Sequence, residues 1–364
     1  MHTIRFVAVL GLLWLVTGCA SVGYYFQAMG GQMEIWQRSR PITKWIDAAD
    51  TDADLREKLR TVQKIRDFAS RELALPDNGS YRKYADLERE YVVWNVFATE
   101  EFSIEPVQWC FPIAGCVAYR GYFEEASANE FADGLRRKNL DVMVGGVAAY
   151  STLGWFDDPV LNTFIRYPEV ELARMLFHEL AHQVVYVKDD SVFNESFATA
   201  VELEGTARWL RVHGSSGQLA GFEARQVRRR EFTELIARAR VQLQSLYASA
   251  VSSDEKRLGK AQIFAGLKEK YGSLRTAWGG YQGYDLFFQR PLNNARLVPV
   301  ATYSDRVPAF RRLFAEQGGD FKSFFAVVRE IANLPKEKRA LRLAGSLDPT
   351  MLKSADRSPL SSQP

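Results

Sequence analysis

Histidine is the scarce residue of this chain: His2, His178, His182 and His213 are all that 364 residues contain. Cysteine is rarer still, with three, which excludes a disulfide-built miniprotein and any large thiolate cluster. Charge of one sign is missing too. The 47 basic and 44 acidic residues leave a net charge of +3, so no nucleic-acid partner and no strongly acidic substrate is expected. Long apolar runs are also lacking: the longest, FVAVLGLLWLV near the start, is too short to cross a bilayer as a permanent helix. What is abundant is ordinary core material. With 47% hydrophobic residues, the chain is long enough for one large domain or two closely packed ones.

That apolar run follows the basic start MHTIR and ends in VTGC. The order of basic, apolar and small-residue regions resembles a bacterial lipoprotein signal, with Gly18 before the lipid-accepting Cys19. The resemblance implies removal of residues 1–18 and a lipid tether that holds the chain on a membrane without spanning it. Ala20, where an aspartate would retain the protein at the inner membrane, resembles the version sorted to the outer membrane, facing the periplasm. In an exported chain the two remaining thiols, Cys110 and Cys116 in WCFPIAGC, are expected to pair as a disulfide around Pro112. Two buried free thiols or a thiolate metal site are the alternatives, the second weakened by the lack of a nearby histidine.

Periodicity divides the chain. DADLREKLRTVQKIRDFASREL sets Leu55, Leu59, Val62, Ile65 and Phe68 on one helical face. LPDNGS breaks that helix, and YRKYADLERE reads as a short helical piece. YVVWNVFAT, GCVAYRGYF and LDVMVGGVAAYSTLG have strand character, and EEASANEFADGLRRKN is helical. From ELARMLFHELAHQVVYV onward the pattern is mainly helical, and the VRRR group (Val227–Arg230) reads as a solvated face. Strands before helices predict an α+β fold, with a small antiparallel or mixed N-terminal sheet packed on a helical half. The expected divisions are the signal (1–18), a lipidated and helical segment (19–76), a strand-rich part (77–165), a helical part carrying the candidate site (166–343) and a polar disordered tail (344–364).

The informative stretch is FHELAHQVVYVKDDSVFNESFA, Phe177 to Ala198. Residues four apart on a helix share a face, so His178 and His182 can offer imidazole nitrogens to one metal ion, with Glu179 beside them. Two neutral imidazoles and one carboxylate hold one Zn²⁺ while a fourth position keeps a water, which Glu179 can deprotonate as general base. The third ligand is expected to be Glu195, separated from His182 by twelve residues, a gap that allows a turn and a second helix to fold back. His213 is a rival, Asp189 and Asp190 fit better as helix caps, and Glu202, two turns beyond Glu195, is a candidate partner for a histidine ring.

HELAHQ followed by NESFA resembles the gluzincin metallopeptidases, above all the zinc aminopeptidases. The interval before the glutamate is shorter here, and Thr199 stands where thermolysin-like enzymes place an acid four residues after the third ligand. A fuller resemblance, over most of the chain, is to a bacterial lipoprotein aminopeptidase family. It is carried by the VTGC signal, LPDNGSYRKYADL, VVWNVFA, WCFPIAGCVAYRGYF, VAAYSTLGWFDDP and FHELAHQ through NESFA. It implies a gluzincin-like helical half and a zinc aminopeptidase acting on peptide substrate. The same resemblance makes Gly145, Gly146, Val147, Ala148, Ala149 and Tyr150 candidates for an edge strand that pairs with the substrate. Tyr281, Tyr284, Tyr303 and His213 are candidates for the oxyanion donor. Glu101, Glu105, Glu124 and Glu125 are candidates to receive a substrate ammonium. An endopeptidase or amidase, or an envelope lipoprotein with a structural metal, would use the same three ligands.

Overall fold

The computed structural model describes residues 27–111, 115–149, 152, 154–302 and 306–345. The signal segment 1–18, Cys19, Tyr150, Tyr303 and residues 346–364 of the expected tail lie outside the described residues. In chain order the elements begin with α1 (27–38), β1 (Arg40–Pro41), α2 (Ile42–Asp47) and α3 (Ala53–Glu72). The strand-rich part follows: β2 (Lys83–Ala85), β3 (Val93–Thr99), β4 (Trp109–Phe111), β5 (Gly115–Val117), β6 (Arg120–Tyr122), α4 (Glu125–Arg136), β7 (Asp141–Val147) and β8 (Val160–Leu161). The rest is helical: α5 (Asn162–Ile165), α6 (Glu169–His182), α7 (Ser191–His213), α8 (Ser216–Ala248), α9 (Ser253–Ala277), α10 (Asp285–Gln289), α11 (Asn294–Thr302), α12 (Val307–Glu316), α13 (Phe321–Ala332) and α14 (Lys336–Ala344). The fold is α+β, with small sheets among a majority of helix.

Strand pairing departs from simple expectation in two places. YRKYADLERE is not helical: its KYA segment is β2, antiparallel to β1 and parallel to β8. Tyr84 and Ala85 are buried there, and pairing with two distant segments overrides the local helical bias. GCVAYRGYF is not one strand either. Gly115–Val117 pairs with β4 in a hairpin, while Arg120–Tyr122 pairs with β3 in another sheet; one straight strand cannot serve both. The hairpin sets Cys110 opposite Cys116, and the two form the expected disulfide. In the main sheet β3 lies between β6 and β7, so β7 is an edge strand.

Most of the core is one apolar cluster. It joins Leu59, Val62, Ile65 and Phe68 of α3 to Leu176, Phe177 and Leu180 of α6, and to Phe193, Phe197 and Trp209 of α7. Gly205 allows α7 to lie close: a Cβ there would sit 3.1 Å from the Phe177 ring and 2.8 Å from Leu73. A second cluster fills the α8–α9 hairpin and a third sits between α4 and the main sheet. Among the described residues no helix is long and apolar enough to cross a membrane.

Candidate metal centre

The metal-site residues stand on two consecutive helices whose junction is fixed by side chains. Helix α6 is shorter than its apolar pattern predicts, stopping at His182. Gln183 and Val184 close with bonds to the carbonyls of Leu180 and Ala181. Asn194 then captures the turn, accepting from the Val187 N–H at 2.8 Å and donating to the Val187 carbonyl at 2.7 Å. Asp190 caps α7 by accepting from the Phe193 N–H, as its position suggests. Its other oxygen accepts from the buried Arg339 of α14 at 2.9 Å. Asp189, the other expected cap, has a φ of 61° and accepts from the Cys116 N–H instead. Gly115 has positive φ and no room for a Cβ, because the Asp189 carboxylate occupies that space.

This junction delivers Glu195 to the histidines. His178 Nε2 lies 3.3 Å from one Glu195 oxygen, and His182 Nε2 lies 3.8 Å from the other. The two imidazole Nε2 atoms are 3.2 Å apart. One ligand atom from each of the three residues falls within 4.8 Å of the others. Such a donor set fits a divalent cation: two imidazole nitrogens directed at each other beside a carboxylate are satisfied by one ion more completely than by a shared proton. The three residues that sequence spacing singled out are the ones the fold brings together. The rival His213 packs against Trp209 with ring centroids 4.1 Å apart and planes tilted by 37°, and lies roughly 27 Å along α7 from Glu195 at 1.5 Å per residue.

Behind the triad is a charged network. Glu202 accepts from His178 Nδ1 at 2.8 Å, which leaves Nε2 of that ring to face Glu195 and His182. The second Glu202 oxygen accepts from Arg174 at 2.9 Å and from Arg229 at 3.0 Å. Burial alone would raise Glu202, but the Arg174 charge and the His178 bond hold it well below the usual carboxylate range. Burial likewise opposes charge on His178, yet its bonds to Glu195 and Glu202 carry it up to about 10. His182, buried and beside that charge, falls to about 4. Its Nδ1 has no hydrogen-bond partner among the described residues. Glu179 is pushed up to about 7, chiefly by burial, with the charges of Glu195, Asp158 and Glu202 adding to it and His178 opposing.

The remaining sequence candidates are distributed unevenly. Gly145, Gly146 and Val147 lie on the edge strand β7, and Ala148 and Ala149 follow it. Val147, Ala148 and Ala149 pack against the cluster that holds α6, but the space above Gly146 is filled by the Tyr91 ring. Tyr284 stacks on Phe232 at 4.0 Å, and its hydroxyl is pushed up to about 12 by burial. Tyr281 lies under Arg228. None of the four candidate ammonium acceptors is joined to the triad by a hydrogen bond or ion pair. Glu101 is held by Arg257, and Glu105, Glu124 and Glu125 are exposed. Asp158, buried and bonded to Thr152, is one of the acids that Glu179 senses; it lies in the VAAYSTLGWFDDP segment, but nothing in that segment singled it out as a neighbour of the site. Arg228 and Arg229 depart from the expected solvated face, since both are half-buried and Arg229 reaches Glu202.

A family model described as "Putative aminopeptidase" matches residues 23–343. No curated protein and no solved structure matches the chain.

Proposed function

The chain belongs to this aminopeptidase family, and we propose that it is a zinc-dependent metallopeptidase, an aminopeptidase with a gluzincin-like centre. His178, His182 and Glu195 hold the ion, and Glu179 is the general base. One observation carries the reading: one donor atom from each of His178, His182 and Glu195, on two helices, lies within 4.8 Å of the others. Bound zinc supplies Lewis acidity, polarising a peptide carbonyl and acidifying a water. Glu179 takes the water's proton on its carboxylate and returns it to the leaving amine. A pKa raised towards neutrality suits both transfers. Glu202 holds His178 in the tautomer that presents Nε2. Tyr284 is the better placed of the two described tyrosine candidates for the oxyanion, because it neighbours the arginines bound to Glu202. The β7 edge from Gly145 to Val147, with Ala148 and Ala149 after it, aligns an extended substrate, and a lipid on Cys19 tethers the enzyme to the outer membrane, facing the periplasm.

Endopeptidase or amidase action is the second reading, favoured because, among the described residues, no hydrogen bond or ion pair joins the triad to Glu101, Glu105, Glu124 or Glu125. Peptides with free and blocked N-termini separate the two, since blocking abolishes cleavage only by an aminopeptidase. The first test is metal content and peptide hydrolysis in the mature chain and two variants. We expect one zinc in wild type and in Glu179→Gln, loss of zinc in Glu195→Ala, and loss of hydrolysis in both variants. Glu179→Gln should lower the rate by at least about 10²-fold. A folded wild-type protein that takes up no metal would overturn the reading.

A further inference from the structure

Four guanidinium groups gather on one side of the metal centre, and they outnumber the carboxylates they meet. Arg174 of α6 bonds Glu202 and Glu171. Arg229 of α8 bonds Glu202 alone, and Arg225 approaches Glu171 at 3.9 Å. Arg228 has no carboxylate partner among the described residues. It is half-buried, with its guanidinium 4.6 Å from the centre of the Tyr281 ring. The nearby Glu231 is engaged by the Trp278 indole at 2.6 Å.

A half-buried guanidinium without an anion is incompletely compensated, because a cation–π contact returns only about 0.5–1 kcal/mol. That contact does fix the group in place. Its planar donors are prepared for a bidentate carboxylate at little further entropic cost. The patch is close to the reaction centre: a single carboxylate, Glu202, separates the Arg174 and Arg229 guanidiniums from His178. Tyr284 borders it, 6.3 Å from Tyr281, and senses the charges of Arg174, Arg228 and Arg229.

We propose that Arg228, with Arg229 and Tyr284, forms a carboxylate-recognition pocket beside the metal centre and selects peptides bearing an anionic group near the scissile bond. The carboxylate comes from an acidic side chain or from the C-terminus of a short peptide. The proposal takes its location from the metallopeptidase reading and specifies the substrate class of that site. Arg228 is a specificity residue and makes no contact with the triad.

The test measures binding, independently of turnover. Three short peptides differing only in one carboxylate are titrated calorimetrically into the mature chain carrying Glu179→Gln, both zinc-loaded and metal-free. One has a glutamine and an amidated end, the second a glutamate and an amidated end, and the third a glutamine and a free C-terminal carboxylate. One of the acid-bearing peptides should bind about tenfold more tightly than the neutral one, which identifies the source of the carboxylate. That preference should shrink as salt is raised, vanish with Arg228→Gln and return in part with Arg228→Lys. Equal affinities for all three peptides, or no binding of any, would overturn the pocket, as would a preference that survives Arg228→Gln. If the chain takes up no zinc, the metallopeptidase reading fails, and the metal-free titration still decides whether the pocket exists.

Discussion

At the scale of single residues, Glu202 governs the electrostatics of the site. It accepts from the His178 ring and from two arginines at once. Replacing it by alanine releases the ring and leaves Arg174 with Glu171 alone, so zinc affinity should fall about 10–100-fold while both histidines remain. A competitive zinc titration against a chelating dye measures this. The same network makes metal uptake depend on pH. His178 is raised to about 10 by its carboxylate partners, so in the metal-free chain it keeps its proton at neutral pH. That raised value stabilises the metal-free fold fully below the unfolded pKa of about 6.5, and the contribution is lost as pH rises through 10. Zinc must displace the proton. Apparent zinc affinity should therefore rise from pH 6 to pH 8, and calorimetry in buffers of different ionisation enthalpy should register proton release. His178, Glu179 and His182 were legible in the sequence because four-residue spacing is local, and Glu202 because seven residues are two turns. Arg174 lies four residues before His178 on the same face and was equally open to reading. Tyr284 was legible only as one of several tyrosine candidates; its place beside Arg174 and Arg229 was not, nor were Arg229 and Asp158 as neighbours of the site, since tertiary packing alone brings them in.

At the scale of elements, the decisive piece is the turn between α6 and α7. Asn194 holds both backbone groups of Val187, while Asp190 caps α7 and binds Arg339 on α14. Asp190 and Arg339 are both buried. Asp190→Ala removes a cap worth about 1 kcal/mol and strands a buried guanidinium. The total loss should be about 3–5 kcal/mol, read from denaturant midpoints. Asp190→Asn should lose less, because the amide oxygen still caps the helix. The sequence showed Asp190 as a cap but not its ion pair, whose partner is 149 residues away. The KYA strand was missed for the same reason: the patterns of Arg40–Pro41 and Val160–Leu161 give no sign that they pair with it. The long helix α3 was read from the apolar face that runs from Leu55 to Phe68, since apolar periodicity over many turns is a strong signal.

At the scale of the whole molecule, the candidate metal centre sits at the edge of a large apolar core and does not replace it. Leu176, Phe177 and Leu180 of α6 and Phe193 and Phe197 of α7 are all buried, so removing the ion should leave the fold intact. Chelation should lower the melting temperature by a few degrees, through loss of binding free energy, with an unchanged far-UV spectrum and a single cooperative transition. A collapse of secondary structure on chelation would instead mark the ion as a structural staple. The α6–α7 hairpin also bears on the order in which the protein assembles. Its 45 residues, Glu169 to His213, contain both imidazoles, the third ligand, Glu179 and Glu202. The ligands are separated by only four and thirteen positions along the chain, so bringing them together closes short loops at small entropic cost. A nascent chain that has emerged only as far as His213 already carries every group proposed to hold the ion. Capture at that stage would make the site a nucleus around which α8 to α14 are laid down, so that loading precedes completion of the protein.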